Sequence, residues 1–353
     1  MLQSFPEPRP TTNPYLVMLA RALRAEPAVT VLNFSWRTAL TGRYDVFHVH
    51  WPEIMVTGGQ AHKRLARQVM FVVLLGRLAL TGIPIVRTRH NLELPEGLTP
   101  VQRLLLACFE RRTTLVIRLN ALTPETGLAA TIVHGHYRDW FAPYPRPEAV
   151  PGRFAYAGLI RRYKGVEGLL GAFAALHGPD LSLTVGGKPS GPELAQALTL
   201  ASRDDPRISL DLRFLPDEDF VHAVSESELV VFPYTFMHNS GGVLAALSLD
   251  RSVLVPDNEV NRRLAREVGP DWFSFFDGTL GAADLRNALE QASHRGRRPG
   301  RAARPDLDNR SWDHAAADHL AAYRRAMGAG RGRNKLHGRN KLRGGDTGTG
   351  GAP

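Results

Sequence analysis

The sequence predicts an α/β protein built as two parallel-sheet domains, and three observations carry that prediction. Its 353 residues exceed what one hydrophobic core normally supports, so two domains of about 150 residues each are the natural division. Short β-rich apolar runs alternate with longer stretches of helical period from Tyr15 to about Leu289, the pattern of βαβ units. The alternation is broken by FAPYPRPEAVP at 141–151, where four prolines in eleven residues leave no periodicity and mark a linker.

In the first domain, 1–140, strands are expected over 29–34, 45–49, 83–88, 115–119 and 131–133. Helices begin near Asn13, Gln60 and Pro100. Asn13 followed by Pro14 pairs a capping side chain with proline at the first helical position. The helix over 62–80, HKRLARQVMFVVLLGRLAL, has basic residues at its start and a broad apolar surface; a helix covering a sheet and a helix lying on a membrane share that pattern. In the second domain, 152–308, strands are expected over 154–157, 181–185, 208–212, 229–232 and 252–255, and helices over 166–176, 192–201, 217–224, 241–249, 258–268 and 282–292. A basic break precedes a closing helix, 309–327, of the kind that often returns to brace the first domain. The tail, 328–353, repeats GRNKL in a Gly-rich, aromatic-free context and is expected to be disordered.

With 43% hydrophobic and 22% charged residues the composition is that of a soluble globular protein. The single cysteine, Cys108, lies in an apolar run and reads as a small buried hydrophobe, which excludes a disulfide framework and cysteine-based zinc sites. Pro6, Glu7, Pro8, Arg9 and Pro10 interrupt any secretory leader, and the longest apolar run, 69–75, falls well short of the roughly 20 residues that span a bilayer. A cytoplasmic protein is expected. The formal charge of +10 hints at nucleic acid or anionic lipid, but six basic residues against one acid in the tail account for half of it.

Charge and glycine gather at the ends of the predicted strands. Arg161, Arg162 and Lys164 follow the strand ending at Ala157 and precede a helix, which places cations at the carboxyl edge of a parallel sheet, where ligands bind. Asn239, Ser240, Gly241 and Gly242 lead from a buried strand into the helix VLAALSL. A helix start offers unpaired N–H groups and partial positive charge to a phosphate, although a plain turn capped by Ser240 reads the same locally. The position of Lys164 favours the anion-binding reading.

Four segments in order, DVFHVHWPE (45–53), TRHNLELPE (88–96), YAGLIRRYKG (156–165) and PYTFMHNSGG (233–242), resemble the GDP-mannose-dependent mannosyltransferases of the GT-B fold that extend lipid-linked oligosaccharides for bacterial exopolysaccharide. The resemblance spans most of Asn13 to Ala292. It implies two Rossmann-like domains facing a cleft, and a hexosyltransferase moving mannose from GDP-mannose, as first choice, to a lipid-linked or oligosaccharide acceptor. It further implies no cofactor and no required metal, cytoplasmic placement with peripheral contact on the inner face of an anionic membrane, and no specific nucleic-acid partner. A nucleotide-sugar epimerase of the same fold and a nucleic-acid-binding protein acting through the basic tail are the alternatives.

By resemblance, Arg161 and Lys164 neutralise the departing diphosphate together with Asn239, Ser240, Gly241 and Gly242. Leu159 stands where many members of the wider fold carry that arginine, so the role of Arg161 assumes a two-residue displacement. Met237 and Ala245 stand where many retaining members carry glutamates, which favours the inverting group. Gly187, Lys188, Phe214 and Leu215 end two further strands and surround the nucleoside in similar enzymes; ordinary βα turns would look alike.

Inversion needs a group to take the acceptor proton. His90 directly follows the strand over 83–88, and Glu93 and Glu96 lie in the loop after it; these three form the catalytic set, with Glu96 the first choice of base and Glu93 the second. His48 and His50 share one strand face, His48 reading as a structural residue and His50, with Glu53, as lining for acceptor or donor sugar. Tyr234 and His238 flank the diphosphate loop as further sugar contacts. His134 and His136, around Gly135, read as part of a hinge and not as metal ligands.

Overall fold

The computed structural model describes residues 1–9, 11–239, 241–297 and 304–343, the side chains of 296, 297 and 331–343 excepted. The chain divides into two units, Met1–His134 with the helix that starts at Trp312, and Gly135–Ser311.

The first unit holds a five-stranded parallel sheet of β1 (Leu2–Gln3), β2 (Phe47–Val49), β3 (Ile85–Arg89), β4 (Thr113–Arg118) and β5 (Ala129–Thr131), ordered as numbered. Its core gathers Phe47, Val49, Phe71, Leu74, Ile85 and Phe109. The helix Pro14–Ala25 starts as expected, with Asn13 Oδ1 accepting from the Tyr15 N–H at 3.0 Å and proline in the first turn. The helix Ala61–Thr81 covers the sheet with Phe71, Leu74, Leu75 and Leu78. The expected strand at 29–34 forms only an isolated parallel bridge, Leu32 to Leu2, and β1 takes its place in the sheet. A two-residue strand is too short to show alternation, so its signal is absent from the sequence.

The second unit holds six parallel strands, β6 (Arg153–Ala157), β7 (Ser182–Gly186), β8 (Ile208–Asp211), β9 (Leu229–Val231), β10 (Ser252–Pro256) and β11 (Phe273–Phe276), in the order β11-β10-β9-β6-β7-β8. The last of these was not anticipated from the sequence. The chain runs outward from β6 to β8 and then crosses back to β9, which pairs with the other side of β6. Strand order therefore reverses between β6 and β9, and the carboxyl ends of strands at such a reversal are where open α/β sheets bind ligands.

One boundary differs from the sequence reading. The units separate between His134 and Gly135, ahead of the proline-rich stretch expected to be the linker. That stretch straps onto the second unit because the aromatic residues where it begins find partners there: Trp140, immediately before it, donates its Nε1 proton to Asp217 Oδ2 at 3.0 Å, and Phe141 stacks on Phe220 at 5.6 Å. The closing helix begins at Trp312 and continues to Arg343. Residues 344–353 lie outside those described.

Candidate active site

In the second unit the turn after β6 and the loop after β9 are bonded into one edge. Thr235 donates its N–H and its hydroxyl to the Tyr163 carbonyl, each at 3.0 Å. Gly165 closes the turn at φ +66°, and a Cβ there would stand 2.0 Å from the Pro233 oxygen, so only glycine allows this approach. Lys164 thereby reaches over the buried ring of Tyr234, its Nζ 5.2 Å from the centroid. Burial, with the nearby charge of Arg161, pulls the Lys164 ammonium down to about 8. Arg161 turns toward the β7 loop, donating to the carbonyls of Ile160 (2.8 Å) and Lys188 (3.3 Å).

The helix Gly241–Ser248 continues from the same loop as Tyr234. Met237 is buried, with its carbonyl held by Asn258 Nδ2 at 3.0 Å, while His238, Asn239, Gly241 and Gly242 are half-buried at the helix start. Burial lowers the His238 imidazole. Ser240, singled out as capping and phosphate-contacting residue, lies outside the described residues.

Gly187 lies at φ +149°, and a Cβ there would meet the Gly158 oxygen at 1.8 Å, so this glycine has a packing reason of its own in joining the loops after β6 and β7. Leu215 packs on Gly186, whereas Lys188 and Phe214 stand exposed at the same strand edges, Phe214 by 50%.

In the first unit the carboxyl ends of β2 and β3 carry a row of imidazoles. His48 Nε2 meets Thr88 Oγ1 at 2.8 Å and its Nδ1 meets the Tyr323 hydroxyl of the returning helix at 2.9 Å, so both nitrogens are occupied in a structural role. His50 meets Gln3 Oε1 through Nε2 and His90 Nε2 through Nδ1, each at 3.2 Å. With the Gln3 oxygen accepting, the pattern assigns the His50 proton to Nε2 and makes His90 the donor to His50 Nδ1, leaving Nδ1 as the accepting nitrogen of His90. His50 is 2% exposed, between Gln3 and His90.

His90 stacks on Trp51 (4.2 Å, 17°) and takes the edge of Tyr15 at 5.1 Å. Burial, with His134 and Arg87 adding positive charge, lowers it to about 3, so it is a neutral hydrogen-bonding ring at neutral pH. His134, read from the sequence with His136 as part of a hinge, packs on Tyr15 at 4.7 Å at the end of the first unit, and His136 accepts from the Arg138 N–H at 3.3 Å. Among the described residues no group of three or more His, Cys, Asp and Glu is arranged to hold a metal ion.

The acids fall out differently. Glu93 and Glu96 are exposed on the loop that follows His90, outside the imidazole row. Glu53 opens the short helix Glu53–Val56 immediately after Trp51, half-buried, and desolvation raises its carboxyl despite the charge of Arg87. Sequence reasoning missed Gln3, Tyr15, Thr88, Trp51, His319 and Tyr323. Only the aromatic types of Tyr15, Trp51 and Tyr323 were visible as a signal, and nothing in their spacing links them.

Two Rossmann-like units, the second with a cationic turn and a helix start at its switch point, have the GT-B glycosyltransferase architecture. Solved structures agree on the fold: the chain matches Anabaena Alr3699/HepE in complex with UDP-glucose with a TM-score of 0.57 at 14% identity, covering 96% of this chain and 100% of that one. It matches the sucrose-phosphate synthase of Thermosynechococcus elongatus with a TM-score of 0.54 at 12% identity, covering 97% and 98%. No family model matches the chain.

The particular family comes from sequence relatives. The chain is 43% identical over 329 residues, 93% of each protein, to a GDP-mannose:glycolipid 4-beta-D-mannosyltransferase of Xanthomonas campestris pv. campestris (strain ATCC 33913), and 42% identical over the same length to a second protein of that name and pathovar. It belongs to this family of glycosyltransferases. The relatives support glycosyl transfer and give no support to the epimerase and nucleic-acid readings. Among the described residues no helix is long and apolar enough to cross a membrane.

Proposed function

We propose that the chain transfers mannose from GDP-mannose to a glycolipid acceptor with inversion at the anomeric carbon. The observation that carries this reading is the edge at the switch point of the second sheet, where Lys164 stands 5.2 Å over Tyr234 on the loop that runs into the helix Gly241–Ser248. The names of the relatives supply the sugar, the base and the acceptor class. A β-linked product from an α-linked nucleotide sugar requires inversion, consistent with Met237 and Ala245 in place of glutamates.

In the reaction the acceptor oxygen bonds to the anomeric carbon while the bond from that carbon to the β-phosphate oxygen breaks. The electron pair leaves with GDP, whose charge Lys164, Arg161 and the N–H groups of the 239–242 loop stabilise. These groups are expected to balance the diphosphate without a divalent metal, and transfer should survive a chelator. Gly187, Lys188, Phe214 and Leu215 border the nucleoside, with exposed Phe214 offering a ring face to the base. His90, by its place directly after β3, contacts the donor sugar, with Tyr234 and His238 as further sugar contacts.

The acceptor proton passes to a carboxylate of the first unit. Glu96 and Glu93 suit that role by their place after β3, and Glu53 is the sheltered one, its carboxyl raised by desolvation. A glycolipid acceptor implies work at the inner face of the cell membrane, in exopolysaccharide or cell-envelope glycan synthesis, with peripheral contact to an anionic surface.

Incubation with GDP-mannose and a lipid-linked oligosaccharide, followed by mass spectrometry, tests the reading. A product heavier by one hexose only when both are present is expected. Release of an isomeric nucleotide sugar without acceptor, or stabilisation by UDP and not GDP in a thermal-shift assay, would overturn it.

A further inference from the structure

Among the described residues only three phenylalanine, tyrosine or tryptophan side chains are exposed, Tyr163 (54%), Phe214 (50%) and Phe236 (62%). All three stand at the carboxyl edge of the second sheet: Tyr163 in the turn after β6, Phe214 in the loop after β8 and Phe236 in the loop after β9. An exposed ring forgoes the gain of burial, and every other ring of the chain is at least half-buried. Rings left in water at the edge where open α/β sheets bind ligands point to an occupant.

Neither Tyr163 nor Phe236 sits on a loose tip. The Tyr163 carbonyl accepts from both the N–H and the hydroxyl of Thr235, each at 3.0 Å, and its ring meets that of Tyr234 edge-on, 6.1 Å between centroids. Phe236 follows Thr235 and precedes Met237, whose side chain is buried and whose carbonyl accepts from Asn258 Nδ2 at 3.0 Å. The backbone is therefore pinned on either side of the exposed ring, which can bind without first losing the freedom of its loop. The segment 233–242 contains no acidic residue, so no carboxylate of this loop is there to hold sugar hydroxyls.

We propose that Phe236, with Tyr163, holds the hexose of the donor by stacking against its C–H face, in place of a carboxylate. The order of the sheet selects that part of the ligand. Strands run β8, β7, β6, β9, each about 4.8 Å from the next. Phe214 follows β8, Gly187 and Lys188 follow β7, Lys164 follows β6, and Phe236 follows β9 just ahead of the helix Gly241–Ser248. A nucleotide sugar has the same linear order of base and ribose, diphosphate, hexose. With the base on the β8 side and the diphosphate at Lys164, the hexose falls on the β9 side. A pyranose has a largely C–H face and a hydroxyl rim, which suits an exposed ring flanked in the chain by the polar Thr235 and His238. The proposal rests on the transferase reading, which brings a nucleotide sugar to this edge, and deepens it by naming the side chains that grip the sugar.

The test is calorimetric titration of the full chain with GDP and with GDP-mannose, which differ by the hexose. Phe236→Ala should weaken GDP-mannose binding about three- to tenfold, and Tyr163→Ala by a similar factor, while GDP stays within about twofold of wild type. Phe236→Trp and Tyr163→Phe keep a ring and should keep wild-type affinity for both ligands. All should keep the wild-type melting temperature, since both side chains are exposed. Parallel weakening of GDP and GDP-mannose would reduce the rings to a structural role and overturn the proposal, as would unchanged GDP-mannose affinity in Phe236→Ala. A raised KM for the glycolipid acceptor with donor affinity intact would also overturn it, by moving the rings to the acceptor. A wild-type chain that binds a UDP-hexose and not GDP-mannose would instead strike at the mannose reading, and comparison of that UDP-hexose with UDP would still decide the role of the rings.

Discussion

Lys164 carries its ammonium 5.2 Å above the ring of Tyr234, and the two residues arrive there from different βα turns, one after β6 and one after β9. Hydrogen bonds from the Thr235 N–H and hydroxyl to the Tyr163 carbonyl lock the turns together, so the cation is positioned before any ligand arrives. Preorganisation of this kind spares the cost of ordering a lysine at the moment of binding.

Affinity for GDP should therefore depend on pH in a way that one residue explains. Burial and Arg161 bring the Lys164 ammonium down to about 8, so the free protein holds it charged below that pH and loses the charge above it. Binding a diphosphate favours the charged form, and the dissociation constant should rise by up to about tenfold per pH unit above 8. Lys164→Met should weaken binding by about 1.5–3 kcal/mol at neutral pH and flatten the profile. Calorimetric titration at several pH values would show it, and an unchanged slope in the variant would remove Lys164 from the site.

Gly165→Ala should damage both fold and donor binding. The new methyl would meet the Pro233 oxygen at 2.0 Å with the backbone at φ +66°, which forces the two turns apart at a cost of about 1–3 kcal/mol. Gly168→Ala, in the helix Val166–Ala174 with open space at its Cβ, should stabilise by about 0.5–1 kcal/mol. Denaturant unfolding of the two variants should give opposite signs.

Among the acids of the first unit, Glu53→Gln is expected to reduce kcat by about 10²–10⁴-fold with little change in KM for GDP-mannose. Its carboxyl is raised by desolvation, so the rate should be lost as pH falls through that elevated value. Glu93→Gln and Glu96→Gln, at exposed positions, should stay within a few-fold of wild type. The reverse ranking in steady-state kinetics would move the proton-accepting role to the loop after β3.

Acid should unfold the first unit early. His48, His50, His90 and His319 are all lowered by burial, His90 to about 3 and His319 to about 4, so they are neutral when folded and titrate near 6.5 when unfolded. The unfolded chain binds more protons in that window, so stability is full above about pH 6.5 and declines as pH falls. The loss reaches about 2 kcal/mol per imidazole at pH 5. His319 Nδ1 bonds the Ala315 carbonyl, while its Nε2 is buried without a partner, so His319→Leu should lower the pH of half-unfolding seen by circular dichroism.

Much of this protein was legible in its sequence because the signals are local. Nine of the eleven strands overlap runs visible as β-rich apolar segments, and the helix starts at Asn13 and Pro100 carry their own caps. Lys164 and the 239–242 loop could be placed at one sheet edge because parallel strands put all their following turns on the same side. What failed was short or cooperative: β1 spans two residues, and the proline-rich stretch behaves as a strap because Trp140 and Phe141 find partners far along the chain.

The sequence alone determined the class of fold, the cations and glycines at one edge of the second sheet, and the presence of histidines at the ends of β2 and β3. Only the tertiary structure decided that His50 supports His90 from beneath, that Tyr323 holds His48 from 275 residues away, and that Glu53 is sheltered while Glu93 and Glu96 face solvent. The reason is physical. Periodicity and turn chemistry are written in neighbouring residues, whereas burial, hydrogen-bond partners and proton affinity belong to whichever distant segments the fold brings into contact.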